Sequence, residues 1–491
     1  MATRRLKLRG RKRAELASPS RPSDNSMSSA PAPATDRARP ESLDLASVPL
    51  RSRAGSSVRA ASALVGGRRV IMARSVPGPR RSAMSYADGV NIAEAARHAL
   101  EARLPLMLVV ASSGADVTEG IAALHGWGRA ALALSGCSGI VPVLAAVTGP
   151  AISGPALLLG LADVVAMTPT SFAFVSGPDM VVEFTGIRLG LEELGGATAH
   201  ATRSGLAALL APDEADAMEL LGEVLGFLPD STDSLPPTLD TDDPPYRQTP
   251  ELAALVPSSP TASYDVREVA RAFVDDGDIF ELRAGWAPQL VTALARLAGN
   301  PVGIVANQPR SLAGTLDIAA SQKGARFVRF CDAFNLPILT LVDTPGFLPG
   351  KTLEWRGMIR HGAELAFAYA EATVPRICLV MRKAYGGAYI VMDSKGLGND
   401  LCVAWPTAEV AVMGAEGAVQ ILARESGPEE RARLQAEYER AFLGPWKAAE
   451  RGFVDAVIDP AETRSVLAAY LSMLSTRREA LRLRKHDSGP M

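Results

Sequence analysis

Apolar and small residues follow one order twice along this chain. Val141-Pro142-Val143-Leu144-Ala145-Ala146-Val147 is an unbroken apolar run that leads through Gly149-Pro150 to the turn Ser153-Gly154-Pro155-Ala156. About 233 positions later, Val374-Pro375-Arg376-Ile377-Cys378-Leu379-Val380-Met381 leads to Tyr385-Gly386-Gly387-Ala388. Each run reads as a buried strand, closed by a small-residue turn and the start of a helix. The match extends outward. Leu104-Pro105-Leu106 pairs with Leu336-Pro337-Ile338, and Val70-Ile71-Met72-Ala73 with Gly303-Ile304-Val305-Ala306. Downstream, Asp163…Pro169-Thr170 pairs with Asp400…Pro406-Thr407, at an offset about four larger. A unit this long is a duplicated domain rather than a solenoid repeat. Helical periodicity over 87–103, followed by a strand at 104–111, gives the alternation of an α/β class.

The pattern predicts a first domain over 58–228, a linker rich in Pro, Asp, Ser and Thr over 229–262, and a second domain over 263–476. Residues 477–491 read as a polar tail. Residues 1–57 are basic and Ser/Pro/Ala-rich, which predicts a disordered tail; an organelle transit peptide is the other reading of that composition.

Composition narrows the classes of function. The 491 residues carry a net charge of −2, and no long basic stripe follows residue 60, so nucleic acid is excluded as a partner. Residues 130–162 hold no charge and mimic a membrane span. They contain Pro142, Pro150 and Pro155 and form the first repeat copy, so a buried strand-turn-helix is the better reading and no membrane is expected. The cysteines Cys137, Cys331, Cys378 and Cys402 are scattered, with no C-x-x-C pair. They suit buried thiols in a reducing compartment, placing the chain in the cytoplasm ahead of the mitochondrial matrix.

The turn Tyr385-Gly386-Gly387-Ala388 carries the candidate chemistry. Glycines after a buried strand let backbone approach a ligand closely, and the helix start offers unpaired N–H groups. Two such groups aimed at one oxygen form an oxyanion hole. In the first half, Pro155 has no N–H. A hole in the register of Gly387-Ala388 has lost a donor there, whereas one built from Ser153 and Gly154 is intact; the sequence leaves both open. Asp343-Thr344-Pro345-Gly346-Phe347 with Gly350-Lys351-Thr352 resembles parts of a nucleotide site. Its spacing is one residue short of a phosphate loop, and it reads instead as a strand-end loop lining a cleft. The five histidines have no metal-ligand spacing, so no metal is expected. No G-x-S-x-G element occurs, and His361 reads as structural. The site therefore works by oxyanion stabilisation and positioning.

Several segments resemble a known family: Gly303-Ile304-Val305-Ala306-Asn307-Gln308-Pro309, the stretch 341–350, the stretch 382–392, Ala404-Trp405-Pro406-Thr407-Ala408-Glu409 and Met413-Gly414-Ala415-Glu416-Gly417-Ala418. They are similar to the carboxyltransferase (β) subunits of biotin-dependent acyl-CoA carboxylases of the propionyl-CoA carboxylase type. In the first half, Ser176-Gly177-Pro178-Asp179 and Glu192-Glu193-Leu194-Gly195-Gly196-Ala197 match more weakly. The resemblance implies two tandem crotonase-like spiral domains, the first for acyl-CoA and the second for biotin, in a hexamer with sites at subunit interfaces. It implies that Gly387 and Ala388 hold the ureido oxygen of biotin, and that Ser153 and Gly154 hold the thioester oxygen. Gly386, Tyr385, Ile390, Gly114, Ala115, Gly346 and Phe347 would line the substrates. The chain has no Met-Lys-Met biotinylation site and no ATP-binding portion, so biotin is carried on a separate protein and a biotin carboxylase/carrier (α) subunit is the implied partner. Two departures stand out. The family's Ser-Gly-Gly-Ala-Arg element is here Ser112-Ser113-Gly114-Ala115-Asp116, and Ile390 stands where Asp is common.

The resulting expectation is carboxyl transfer from carboxybiotin to a short acyl-CoA, propionyl- or acetyl-CoA. The same machinery running as a methylmalonyl- or malonyl-CoA decarboxylase, and a catalytically impaired structural paralogue, are the alternatives.

Overall fold

The computed structural model describes residues 48–491, apart from Pro260, Arg478, Leu481, Arg482 and Met491. Most of the tail expected over 1–57 lies outside these residues. Its last part is not tail: the ordered sheet begins about ten positions earlier than expected. Val48 and Pro49 pair antiparallel with Ser62 and Ala61, and Asp88 fixes the stretch between, its carboxylate accepting the N–H groups of Ser57 (2.6 Å) and Val58 (2.9 Å) and the Ser56 hydroxyl.

The first sheet contains β1 (Val48–Pro49), β2 (Val58–Val65), β3 (Arg68–Ser75), β4 (Leu106–Ser112), β5 (Val143–Ile152), β6 (Val164–Met167), β7 (Phe172–Phe174) and β8 (Leu209–Leu210). The second contains β9 (Ile279–Leu282), β10 (Leu290–Leu297), β11 (Asn300–Asn307), β12 (Ile338–Thr344), β13 (Arg376–Tyr385), β14 (Leu401–Ala404), β15 (Glu409–Ala411) and β16 (Ala456–Val457). The first runs β1-β2-β3-β4-β5-β6-β8 with β7 beside β5, and the second runs β9-β10-β11-β12-β13-β14-β16 with β15 beside β13. The duplication read from the apolar pattern is thus a duplication of topology. The central strands are parallel and buried on both faces, which explains their unbroken apolar runs. The helices that follow β3 and β11, Tyr86–Ala102 and Ile318–Ala333, start from equivalent caps. Ser85 accepts the N–H of Asp88, and Asp317 that of Ala320, each satisfying an orphan donor of the first turn.

Register repeats down to its irregularities. Val110 pairs with Val147 and Ser112 with Ala151; Val342 pairs with Val380 and Thr344 with Ala384. In each half the central strand therefore carries two extra residues at the same place. The bulge bends its end toward a different neighbour, so β5 finishes against β7 and β13 against β15.

The two halves do not keep separate cores. One cluster joins Val65, Leu144 and Leu225 to Leu290, Phe327 and Cys378. The 229–262 segment is fastened to the second half. Arg464, fully buried, donates to the carbonyls of Asp243, Pro244 and Phe273 and to the Asp275 carboxylate, and Thr249 donates its N–H to Ala461 at 2.8 Å. Among the described residues no helix is long and apolar enough to cross a membrane; the charge-free stretch 130–162 is divided among the end of helix Ile121–Cys137, β5 and the short helix Gly154–Leu159.

Candidate active site

β13 ends at Tyr385, and Gly386 turns the chain at φ +56° into the helix Gly386–Val391. That conformation suits glycine. A Cβ at Gly386 would also stand 3.1 Å from the Val412 carbonyl oxygen. Gly387 and Ala388 lie in the first turn, where N–H groups have no intrahelical acceptor. The strand-end loop of β12 runs alongside. Leu316 donates its N–H to Gly346 and accepts from Leu348, which leaves the N–H of Phe347 between them without an acceptor among the described residues. The Phe347 ring caps the turn: a Cβ on Gly387 would lie 3.6 Å from its Cε2, and one on Gly362 3.4 Å from its Cε1 and Cζ.

The first half builds the same frame. Ser153 (φ +59°) occupies the position of Gly386, Gly154 that of Gly387, and Pro155 that of Ala388. Met84 donates its N–H to Gly114 and accepts from Asp116, so Ala115 sits as Phe347 does, its N–H without an acceptor among the described residues. Here the structure corrects an expectation. Ser153 is not a free donor, because its N–H is spent on the Phe174 carbonyl at 2.9 Å, where the bent end of β5 meets β7. Pro155 has no N–H at all. Gly154 is the donor left on the helix, and Ala115 is the one facing it from the loop. Trp127 completes this side: its indole N–H donates to the Gly154 carbonyl at 2.8 Å.

Beneath the second turn lies a buried ion pair. Arg382 donates to Asp343 at 3.0 Å, and the same carboxylate accepts from the Tyr264 hydroxyl at 2.8 Å and the Lys383 N–H at 3.1 Å. Burial pushes the Asp343 carboxyl up from the usual range, while Arg382 draws it back. The guanidinium also ties down the connecting segment through the carbonyls of Ser259 (3.0 Å) and Ala262 (2.8 Å). Tyr385 donates its hydroxyl to Glu409, whose carboxyl burial also pushes up. A cleft of about 500 Å³ opens beside the turn, lined by Gly386, Gly387, Ile390, Val412, Phe442 and Phe453.

Other candidates fall outside this frame. His361 lies within the helix Met358–Glu371, bonded to Gln322 (3.1 Å) and Glu364 (2.8 Å), in the structural role expected of it. Gly350-Lys351-Thr352 opens the five-residue helix Lys351–Trp355, and Lys351 sits over the Trp355 ring. Trp127 and Tyr264 were not singled out from sequence, and nothing in their local pattern marks them; Arg382 entered only as the first residue of the stretch 382–392, without the role it has here.

What the frame can do is lower the cost of negative charge on an oxygen. Backbone N–H groups fixed before reaction stabilise a developing oxyanion without reorganising.

Comparison with known proteins agrees with this geometry. The model of a family described as the carboxyl transferase domain matches residues 35–488. A propionyl-CoA carboxylase beta chain of Saccharopolyspora erythraea is 46% identical over 422 residues, covering 82% of this chain and 77% of that one. The methylmalonyl-CoA decarboxylase subunit alpha of Veillonella parvula is 42% identical over 402 residues, covering 82% and 79%. Among solved structures, the transcarboxylase 12S hexamer with hydrolysed methylmalonyl-coenzyme A bound superposes with a TM-score of 0.88 at 38% identity, covering 91% of this chain and 90% of that one.

Proposed function

This chain belongs to the carboxyl transferase family, and we propose that it is the carboxyltransferase subunit of a biotin-dependent acyl-CoA carboxylase acting on a short acyl-CoA. The observation that carries this reading is the pairing of two equivalent turns, one per half, each beside a facing loop N–H: the second offers the N–H groups of Gly387 and Ala388, the first that of Gly154. Carboxyl transfer between an acyl-CoA and biotin needs an oxyanion stabilised on each partner, and a duplicated frame supplies two.

In this reading Gly387 and Ala388 hold the ureido oxygen of biotin, and Gly154 with Ala115 holds the thioester oxygen. The fit of the second turn to biotin rests on its two helix-start N–H groups and the adjoining apolar wall of Ile390, Val412 and Phe442. Carboxybiotin, when bound, would supply the carboxyl group and leave as biotin, which takes up the α-proton of the acyl-CoA. Phe347 and Trp127 each lie over a turn and hold its backbone in place. The family resemblance and the hexameric neighbour support a homohexamer with a separate biotin-bearing α partner, in the cytoplasm.

The test uses the purified chain with methylmalonyl-CoA, malonyl-CoA and free biotin, following loss of the carboxylated thioester by chromatography. Biotin-dependent loss is expected. No loss, even with a carboxylase carrier protein supplied, overturns the reading.

A second reading has its own support. The spent N–H of Ser153 and the missing N–H of Pro155 leave the acyl-CoA hole one helix-side donor, which favours a catalytically weakened chain that assembles with an active β subunit. The decarboxylase reading uses the same site in reverse; which direction runs depends on the partner that recharges biotin.

A further inference from the structure

The strand-end loop of the first half ends in Asp116, an acid that is buried, at 2% exposure of its side chain. It caps the short turn Val117–Glu119 by accepting the N–H (3.0 Å) and hydroxyl (2.7 Å) of Thr118. Its other oxygen holds the guanidinium of Arg80, and this contact keeps the Asp116 carboxyl below the usual carboxylate range. Arg80 is half exposed, so one side of the guanidinium is pinned and the other faces solvent.

The segment that delivers Arg80 is unusual. Arg80, Arg81 and Ser82 have φ of +51°, +57° and +55°. Three successive left-handed residues that are not glycine persist only where the surroundings over-determine them. Here Ser113 donates its hydroxyl to the Arg80 carbonyl at 2.8 Å and its N–H to the Arg81 carbonyl at 3.3 Å. Ser82 donates its hydroxyl to the Val76 carbonyl at 2.9 Å. The segment is thus tied to the residues just before Ala115, and the guanidinium to the residue just after it. On the same wall Arg53 lies over the Tyr86 ring, while the nearby Glu119 carboxylate accepts the Tyr86 N–H.

We propose that Arg80, positioned by Asp116, is the phosphate-binding cation for the nucleotide end of the coenzyme A thioester held by Ala115 and Gly154. The proposal rests on the carboxyltransferase reading and adds to it a residue. A half-exposed guanidinium with its other face fixed by a carboxylate is pre-organised for a second anion, since its fork of donors matches phosphate. It stands beside the thioester site, tied to the residues on either side of Ala115, where the phosphates of a folded coenzyme come within its reach. Asp116 thereby retains a cation at this loop although residue 116 is itself acidic.

The experiment compares methylmalonyl-CoA with the methylmalonyl thioester of pantetheine, which has no nucleotide phosphates. Arg80→Ala is expected to raise KM for the CoA thioester about tenfold, to leave KM for the pantetheine thioester within about twofold, and to change kcat little for either. Arg80→Lys recovers part of the KM effect. The exchange Arg80→Asp with Asp116→Arg keeps the pair and returns KM toward the wild-type value, whereas Arg80→Asp alone does not; this arm keeps the test meaningful if removing Arg80 loosens the loop. Malonyl-CoA lacking the 3′-phosphate separates the two phosphate positions. A loss equal to that of Arg80→Ala assigns the 3′-phosphate to Arg80, and no loss assigns the diphosphate. If the two thioesters lose affinity in step, or neither does, the proposal is wrong. Calorimetric binding of free coenzyme A to the full chain distinguishes its failure from that of the enzyme reading: Arg80→Ala weakens binding about tenfold even in a chain that turns over nothing, and unchanged binding overturns the proposal.

Discussion

The indole N–H of Trp127 reaches across from helix Ile121–Cys137 to the carbonyl of Gly154, 2.8 Å away, and its ring leaves no room for a side chain there. A Cβ on Gly154 would stand 2.7 Å from Trp127 Cδ1, closer than side-chain carbons approach. Trp127→Phe keeps most of the ring and removes the hydrogen bond. It should lower stability by only about 1 kcal/mol and reduce kcat/KM for methylmalonyl-CoA roughly tenfold. Denaturant midpoints and steady-state rates on one preparation check both. Full activity would show that the turn needs no such anchor.

Pro155→Ala places an N–H where the second half has Ala388. If Gly154 and Ala115 suffice as donors, biotin-dependent turnover changes by less than about threefold. A gain near the hundredfold assigned to one oxyanion-hole donor would establish the weakened-chain reading.

Asp343 and Arg382 are both buried. Removing one partner of such a pair strands the other charge and costs about 3–5 kcal/mol. Asp343→Ala should therefore unfold at markedly lower denaturant, while Asp343→Ala with Arg382→Met should lose less than the sum of the single changes. Strict additivity would show that the two are not energetically coupled.

Burial pushes Asp163 up to about 6, above the value it has in the unfolded chain. The folded state therefore holds the proton more tightly. The resulting stability is fully present below about pH 4 and is lost as pH rises through 6, with a slope of at most about 1.4 kcal/mol per pH unit. Asp163→Asn keeps an acceptor for the Val143 N–H, which the carboxylate binds at 2.8 Å, and removes the titration. Relative to the wild type, the variant should gain stability between pH 4 and 6.5 in urea melts. Parallel curves would place the group's pKa elsewhere.

Much of the fold was legible because the duplication is written in apolar runs that must be buried on both faces of a parallel sheet. The 233-residue offset predicts that Gly154 matches Gly387, and the ladders place both at the same step after equivalent bulges. The state of Ser153 was not legible. Whether its N–H is free depends on β7, a pairing set some twenty residues downstream. Trp127, Arg80 and Tyr264 act through contacts 27 to 79 residues away along the chain, a separation at which side-chain periodicity carries no information. The attachment of residues 56–58 and of residues 243–244 was not legible for the same reason: Asp88 and Arg464 hold those segments from distant helices.

The shared core has a consequence for how the chain is made. Leu221 and Leu225 are complete on the ribosome long before Leu290, Phe327 and Phe334, which belong to the same cluster; the strand that carries Leu290 packs against their helix. At about 5–20 residues per second, the first half waits for several seconds with an apolar face open to water and to other nascent chains. Duplication gave two matching sheets, but only the finished polypeptide offers each of them its lid, and during that interval a chaperone has something to hold.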